Sequence, residues 1–109
     1  MNQMVSLEDF KKLELRVADI VDAAYHPQAD RLYVLDIQVG EEKKRIVAGI
    51  RPHYSPEELK GKKIVVVNNL EPALIRGIES QGMLLAAQDD QALSLVIPER
   101  AVASGSSVK

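Results

Sequence analysis

The 109-residue sequence contains no cysteine and no tryptophan, and only 4% of its residues are aromatic. Without cysteine the chain has no disulfide, no thiolate metal site and no cysteine nucleophile. No apolar run approaches the roughly 20 residues of a membrane-spanning helix, and the N-terminus lacks a signal-peptide pattern. From these absences we expect a cytoplasmic protein that does not contact a membrane.

Catalytic motifs are missing as well. The only two histidines, His26 and His53, lie in proline-containing loops, where we expect both to be exposed. No serine-centred elbow, phosphate-binding loop or H-E-x-x-H zinc pattern occurs. The paired carboxylates are adjacent in turns, where they rarely share an enclosed site. We therefore predict a protein that is not an enzyme, with no catalytic residue, no metal site and no cofactor.

Basic and acidic side chains nearly balance, at 14 and 16, so the formal net charge is −2. This total argues weakly against nucleic acid, which usually selects a basic protein. The charge is uneven, however, because residues 1–40 have four basic and seven acidic side chains, whereas residues 41–83 have eight and six. Screening confines each charge to about 8–10 Å, so a local positive surface remains possible. The charge pattern alone is more typical of solvated strand ends.

Short strand signals follow one another along the chain. In the first, apolar and polar residues alternate until Ile20 and Val21 stand side by side, which indicates a bulge or bend. The second and third read as a hairpin that turns at Gly40, and the fourth is apolar throughout, typical of a strand buried on both faces. We predict strands at residues 13–21, 32–39, 45–50, 63–67, 83–87 and 93–97, with a long loop over residues 68–82.

A short N-terminal helix is predicted after Ser6, whose hydroxyl can cap a free backbone N–H. Leu7, Phe10 and Leu13 form an apolar stripe along one side of this helix. A helix this short is marginal alone. It therefore has to pack against its own domain or against a partner chain.

A second helical turn is predicted at Ser55-Pro56-Glu57-Glu58, which has the serine, proline and glutamate of a capping box and ends at Gly61. This turn lies between the third and fourth strands. A barrel of OB type has its helix there, and nucleic acid lies across its strands two and three. A β-sandwich is the competing arrangement, which the helix position disfavours. We predict an all-β fold: a five-stranded OB-fold barrel with a short helix between strands 3 and 4 and a short N-terminal helix.

The long loop over residues 68–82 contains residue types that contact RNA. It has an asparagine pair, a lone Arg76, Ser80 and glycines that allow close backbone approach, and Met83 follows it. Amides and hydroxyls bond phosphate oxygens and 2′-hydroxyls, and arginine pairs with phosphate or stacks on a base. The alternative is that its apolar residues cap the barrel while Arg76 is merely solvated. Residue chemistry leaves both interpretations open.

Seven sequence blocks stand in order along the chain: Leu15-Arg16-Val17, residues 26–33, Gly49-Ile50, residues 54–59, residues 69–72, Arg76-Gly77 and residues 80–83. Together they resemble the tRNA-binding domain family found at the C-terminus of methionyl-tRNA synthetases, in proteins of the endothelial monocyte-activating polypeptide II type and in free-standing tRNA-binding proteins. The resemblance extends from about residue 7 to residue 109. It implies an OB fold that binds tRNA by shape, at the outer corner of the L, without catalysis.

The resemblance also indicates where this chain departs from its family. Family members usually have lysine or arginine directly after the loop proline, where this chain has Ala73 and Leu74. Each lost phosphate contact lowers affinity, so we expect weak or selective tRNA binding. The few aromatic residues argue against base stacking on several rings and favour recognition of backbone and shape. The residues expected to contact RNA are Arg31, Arg51, Lys62, Asn69, Arg76, Ser80 and Met83.

The end of the sequence, from Ile97-Pro98-Glu99-Arg100 to Lys109, resembles the dimeric bacterial and archaeal branch of this family. That branch pairs through its N-terminal helix and C-terminal segments, which implies a homodimer. We expect one domain over residues 1–109, with a helix in 1–12 and an extension over 93–109, both in the dimer interface. The expected interface residues are Leu7, Phe10, Leu13, Ile97 and Pro98.

Two alternatives stay open. One subfamily with this fold resembles an export-related chaperone that binds peptides, and the missing lysines and acidic total suit such a protein-interaction module. A docking subunit that delivers tRNA to a separate aminoacyl-tRNA synthetase is the other. The start at Met1 and the small, polar end favour a free-standing protein over a fragment of a synthetase.

Overall fold

The computed structural model describes residues 3–109, and Met1 and Asn2, the first residues of the predicted helical segment 1–12, lie outside the described residues. The described chain consists of short strands and two one-turn helices. These are α1 (Leu7–Phe10), β1 (Leu15–Tyr25), β2 (Tyr33–Val39), β3 (Glu42–Ala48), α2 (Pro56–Leu59), β4 (Lys63–Val67), β5 (Ala73–Ile75), β6 (Ile78–Ser80), β7 (Met83–Leu84), β8 (Ala86–Gln88), β9 (Leu93–Leu95) and β10 (Ser107–Val108). No helix within residues 3–109 is long and apolar enough to cross a membrane.

The main sheet has the strand order β3-β2-β1-β4-β7, and β10 also pairs with β1. Every pairing in it is antiparallel. The long strand β1 pairs with β4 over Leu15 to Asp19 and with β2 over Asp19 to Tyr25. The register shifts between Ile20 and Asp22, which confirms the predicted bulge. A bulge increases local twist, so one strand can serve both halves of a curled sheet.

The hairpin of β2 and β3 supplies much of the core because its side chains alternate between two faces. Gly40 turns the chain between the strands with a φ of 62°, a left-handed conformation that glycine adopts without steric cost. Each large apolar side chain that is fully buried contributes about 1.5–3 kcal/mol to folding. The residues that β2 buries are Tyr33, Leu35, Ile37 and Val39, and β4 buries Ile64 through Val67.

The helix α2 has the predicted capping box. The Glu58 backbone N–H donates to the Ser55 hydroxyl at 3.2 Å, and the Ser55 N–H donates to the Glu58 carboxylate at 2.8 Å. Leu59 at the end of the turn is fully buried and anchors it on the barrel. The five strands of the main-sheet path and α2 between β3 and β4 confirm the predicted OB-type architecture.

The prediction of a structureless loop over residues 68–82 is wrong for its second half. The strands β5 and β6 form a hairpin there, with Ala73 opposite Ser80 and Ile75 opposite Ile78. The two residues between the strands, Arg76 and Gly77, both have positive φ, 50° and 90°. Two successive positive φ angles are the mark of a tight type I′ turn, whose twist matches that of the flanking strands.

The prediction of single strands at 83–87 and 93–97 is also wrong in detail. The first stretch divides into β7, on the main sheet, and β8, which pairs with β9 in a separate two-stranded ribbon. The second stretch ends as a strand at Leu95 rather than Ile97. The C-terminal segment contains β10, which pairs with β1 and returns the chain to the barrel.

Gly105 lets the C-terminal segment approach the β2–β3 turn. Its N–H donates to Val17 O at 2.7 Å, and the Arg16 side chain donates to its carbonyl oxygen at 3.1 Å. A Cβ atom at Gly105 lies only 2.8 Å from the Cα of Gly40, a distance that backbone atoms do not tolerate. The close approach of the C-terminal segment to the β2–β3 turn therefore depends on the absence of a side chain at residue 105.

We expect Gly105→Ala to destabilise the protein more than Gly61→Ala does. The two glycines have nearly equal φ, 89° and 87°, but a Cβ at Gly61 meets nothing within 4 Å. Gly61→Ala should cost about 1 kcal/mol for the left-handed backbone. Gly105→Ala should cost about 1–3 kcal/mol beyond that because of the backbone clash. Urea unfolding at equal protein concentration measures both, and equal losses would contradict the close approach.

Candidate functional site

Three of the predicted site residues, Arg31, Arg51 and Arg76, converge on the loop between β1 and β2. Arg51 donates to the carbonyl oxygen of Ala29 at 3.1 Å, and its backbone N–H donates to Arg31 O at 3.4 Å. Arg76 reaches from the tip of the β5–β6 hairpin and donates to Gln28 O at 3.2 Å. Arg31 belongs to the loop itself and is exposed. We refer to these three residues as the arginine cluster.

The arginine cluster keeps its positive charge. The ion pairs within residues 3–109 involve five other basic side chains, Lys12, Arg16, Arg45, Lys60 and Lys63. Each arginine has five N–H donors, and the bonds of Arg51 and Arg76 described above go to neutral carbonyl oxygens. Charge-assisted bonds to a phosphate are about twice as strong as neutral ones, so the remaining donors favour an anionic ligand.

The prediction that both histidines are exposed is wrong for His26, which is only 3% exposed. Its Nδ1 accepts a hydrogen bond from the Gln28 N–H at 3.0 Å. The neutral ring therefore has its proton on Nε2, which donates to Ile75 O at 3.2 Å. The ring therefore bridges the β1–β2 loop to the β5–β6 hairpin.

Arg76 occupies a strained backbone position. It is the one residue other than glycine with positive φ among residues 3–109. A left-handed conformation costs a side chain with a Cβ roughly 1–2 kcal/mol, and asparagine, aspartate or glycine normally occupies this turn position. Strain of this kind concentrates at functional sites, where the side chain serves a purpose other than stability.

Tyr25 lies beside the arginine cluster and was not identified from the sequence. The guanidinium of Arg51 lies over its ring, 4.3 Å from the centroid, which is the geometry of a cation–π contact. The ring of Tyr33 is 5.6 Å away with a tilt of 32°. Tyr25 is 57% exposed, whereas Tyr33 is buried and its hydroxyl donates to Tyr54 O. The sequence signal was the aromatic pair that ends β1 and begins β2.

Burial also changes the acid–base properties of one ring in this region. Desolvation raises the pKa of the Tyr33 hydroxyl above its usual range, and the neighbouring Tyr25 adds to the effect. Tyr33 therefore stays a neutral hydrogen-bond donor near pH 7. Far from the cluster, hydrogen bonds from the Gln91 and Ala92 N–H groups lower the pKa of Asp89, which caps its own turn.

Two predicted site residues are used inside the protein. Ser80 is 3% exposed, and its hydroxyl accepts from the Val47 N–H at 2.9 Å and donates to Gly82 O at 3.0 Å. The Asn69 side chain accepts from the Glu14 N–H and donates to Lys12 O. Ser80 therefore fixes the β5–β6 hairpin against β3, and Asn69 fixes the segment after α1 to the barrel.

The remaining predicted residues lie elsewhere. Lys62 is partly exposed next to the β1 bulge, where its carbonyl oxygen accepts from the Ile20 N–H. Met83 is 48% exposed and lies opposite Val67 in the β4–β7 pair. Within residues 3–109, neither side chain makes a hydrogen bond to the loop that holds the arginine cluster. Only three of the seven residues that we predicted to contact RNA therefore come together, and they are those of the arginine cluster.

A polar groove of about 690 Å³ runs between the β2–β3 face and the β5–β6 hairpin. Arg45 and Asp36 form an exposed ion pair at 3.2 Å on its floor. Gln81 closes its edge by accepting from the Arg45 N–H and donating its own N–H to Arg45 O. This ion pair offsets part of the positive charge that Lys43, Lys44 and Arg45 bring to the groove. Within residues 3–109, no group of three or more His, Asp or Glu side chains could hold a metal ion.

The comparisons with known proteins agree with one another. Residues 15–107 match the family model described as a putative tRNA binding domain. A methionine–tRNA ligase from Thermococcus kodakarensis is 46% identical over 107 residues, which cover 98% of this chain and 14% of that protein. The chain therefore spans only a small part of the curated relatives that it matches.

Two solved structures match this chain over their own full length. A MetRS related protein from Pyrococcus horikoshii superimposes with a TM-score of 0.92 at 32% identity, over 99% of this chain and 100% of that one. The CsaA chaperone protein from Picrophilus torridus superimposes with a TM-score of 0.91 at 28% identity, over 97% of this chain and 100% of that one.

We expect His26→Ala to loosen the β1–β2 loop, whereas His53→Ala serves as an exposed control. Loss of the ring leaves Ile75 O and the Gln28 N–H without their partner, which should cost about 2–3 kcal/mol of stability. The exposed control should change stability by at most about 0.5 kcal/mol. Urea unfolding and hydrogen exchange at the Gln28 amide measure the two effects. Unchanged exchange at that amide in His26→Ala would contradict the bridge.

Proposed function

The chain belongs to the family of tRNA-binding domains, and we propose that it binds tRNA through the arginine cluster as a module without catalytic activity. The observation that supports this most directly is the convergence of Arg31, Arg51 and Arg76 on one loop, where none of them forms an ion pair with another of residues 3–109. Phosphate contacts supply most of the affinity of such proteins and fix their orientation on the RNA. The family relationship names tRNA as the ligand.

The rigid placement of the cluster favours recognition of shape. Arg51 and Arg76 are each tied to the backbone of the β1–β2 loop, so the spacing of the charges is set before RNA arrives. Fixed spacing selects among phosphate arrangements, because a folded RNA presents its phosphates at defined distances while a single strand does not. We therefore propose that the cluster recognises the folded backbone of tRNA rather than a base sequence.

We propose that the affinity is moderate. Ala73 and Leu74 stand where family members usually have basic residues, and Leu74 is 76% exposed. An exposed leucine cannot replace a lysine or arginine at a phosphate, so binding of this chain releases fewer counterions from the RNA. Modest affinity suits a module that works beside an aminoacyl-tRNA synthetase, in the same chain or as a partner, and we propose this role in the cytoplasm.

We propose that the protein is a homodimer. No residue of the α1 helix is fully buried in its own barrel. Leu7, Phe10 and Leu13 remain 66%, 41% and 45% exposed, and Ile97 is 54% exposed, while Pro98 is partly buried. The predicted stripe is not wholly helical, because α1 ends at Phe10 and Leu13 lies beyond it. Its exposed apolar surface favours a second copy as its cover, with residues 93–109 as the other part of the interface.

Peptide binding is the second candidate. The CsaA chaperone structure matches this chain over its whole length. Exposed apolar side chains around the β5–β6 hairpin suit a protein partner better than an RNA backbone, and they are Leu70, Leu74 and Met83. Binding through such a surface depends on apolar burial and changes little with salt, whereas tRNA binding falls steeply as salt rises.

We expect Arg76→Ala and Arg76→Asn to weaken the binding of bulk tRNA, while Arg100→Ala binds like the wild type. Arg100 is an exposed arginine outside the loops of the cluster. Removal of one phosphate contact should flatten the slope of log K against log salt by about one unit. Arg76→Asn should also keep or raise stability, because asparagine suits the left-handed turn. A weaker complex with this variant therefore reports lost contact and not lost folding.

Titrations at about 50 and about 200 mM salt test this proposal, with single-stranded and duplex RNA as competitors. A preference for tRNA at low salt that disappears at high salt supports it. Absence of that preference in the wild type would reject tRNA binding. Salt-independent binding of unfolded peptide by the same sample would instead favour the chaperone-like candidate.

We expect removal of residues 1–12, and also Phe10→Glu, to convert the protein to monomer, while Lys11→Glu leaves the mass unchanged. Phe10 belongs to the apolar stripe, and Lys11 is its exposed neighbour. A buried charge without a partner opposes association, whereas a surface charge change is tolerated. Sedimentation equilibrium measures the mass. A wild-type mass that survives both changes would exclude α1 from the interface.

A further inference from the structure

We propose that the Tyr25–Arg51 pair is a stacking platform for one unpaired or exposed base of the bound RNA. The inference rests on the proposed tRNA binding and names a contact within it. It departs from the expectation that this chain recognises only backbone and shape. The platform consists of the Tyr25 ring and the guanidinium plane lying over it at 4.3 Å.

The first support is the way in which the guanidinium is held. An arginine on a surface usually rotates freely, but Arg51 Nη1 is bonded to Ala29 O at 3.1 Å while the group lies over the ring. A planar cation fixed against an aromatic ring presents a flat, weakly hydrated surface. Nucleobases stack on such guanidinium planes as well as on aromatic rings.

The second support is the cleft beside the platform. It has a volume of about 550 Å³ and is lined by Tyr25 and Arg51 together with Pro52 and His53. This volume lies within the range of pockets for small ligands. Pro52 and His53 belong to the loop after β3 and are exposed, so the cleft opens to solvent. Ser55 and Glu57 also line the cleft, and because the Glu57 carboxylate repels a phosphate, the rings beside Arg51 suit a base better.

The third support is that the neighbouring aromatic groups are fixed. The Tyr33 hydroxyl donates to Tyr54 O, and the Tyr54 hydroxyl accepts from the Leu95 N–H at 3.1 Å. Tyr33 packs against Tyr25 at 5.6 Å from below, as a buried member of the core. Tyr25 therefore cannot turn inward, and its ring stays at the surface for a ligand.

The decisive comparison is Arg51→Lys against Arg31→Lys. Lysine keeps the charge but has no plane to stack. If Arg51 contacts a base, Arg51→Lys should lose roughly tenfold in affinity for bulk tRNA with an unchanged salt slope. Among residues 3–109, Arg51 makes a cation–π contact and Arg31 does not, so Arg31→Lys should remain within about twofold of the wild type. If Arg51 contacts only phosphate, both lysine variants bind alike, and that result overturns the proposal.

Tyr25 gives an independent measure. Tyr25→Phe keeps the ring and should bind like the wild type, whereas Tyr25→Leu should lose about as much affinity as Arg51→Lys. Because Tyr25 packs on Tyr33, urea unfolding of both variants checks that the fold persists. In the wild type, added tRNA should shift the ring proton resonances of Tyr25, identified by comparison with Tyr25→Phe. Unmoved resonances in a saturated complex would exclude the platform even if Tyr25→Leu is unstable.

These outcomes separate the two proposals. If the wild type fails to bind bulk tRNA at low salt, the proposed function is rejected and the platform with it. If the wild type binds but Arg51→Lys matches Arg31→Lys and the Tyr25 resonances stay in place, only the platform is rejected. A loss at Arg51→Lys with a shifted Tyr25 ring and an unchanged salt slope supports both.

Discussion

The buried His26 ring is the contact on which the rest of the site depends. It accepts a hydrogen bond from the loop between β1 and β2 and donates one to the β5–β6 hairpin, so two segments nearly fifty residues apart have a fixed relation. That loop contains Arg31 and accepts a hydrogen bond from Arg51, and the hairpin contains Arg76. An imidazole with a hydrogen bond at each ring nitrogen is well suited to this place, because a buried polar group is tolerated only when its hydrogen bonds are satisfied.

The site combines a strained backbone at Arg76 with like positive charges in the arginine cluster, and the stability of the barrel compensates for both. Arg76 has a left-handed backbone, and the arginine cluster places like charges on one surface. Each feature opposes folding on its own. The bonds from Arg51 and Arg76 to loop carbonyl oxygens offset part of that cost and also orient the side chains. Preorganisation of this kind lowers the conformational entropy that a ligand has to remove on binding.

The net charge of −2 is a poor guide to the partner of this protein. Acidic side chains pair with Lys60, Lys63 and Arg45 along the barrel, and these pairs neutralise three of the six basic side chains within residues 43–45 and 60–63. The three residues of the arginine cluster are far apart in the sequence but converge on one loop in the fold. A weakly acidic protein can therefore present a positive surface, since screening limits each charge to its neighbourhood.

The sequence by itself determined the elements whose signals are local. Hydrophobic patterning along the chain predicted β1 to β4 and the bulge after Ile20, and the residue order at Ser55–Glu58 predicted the capping box, because strand pleat and helix caps depend on neighbours along the chain. Only the tertiary structure decided that His26 is buried, that Ser80 faces inward and that Tyr25 underlies Arg51. Those outcomes depend on which distant segment packs against each residue. Periodicity and residue type contain no information about such long-range partners, so three arginines far apart in the sequence became one site only in the folded chain.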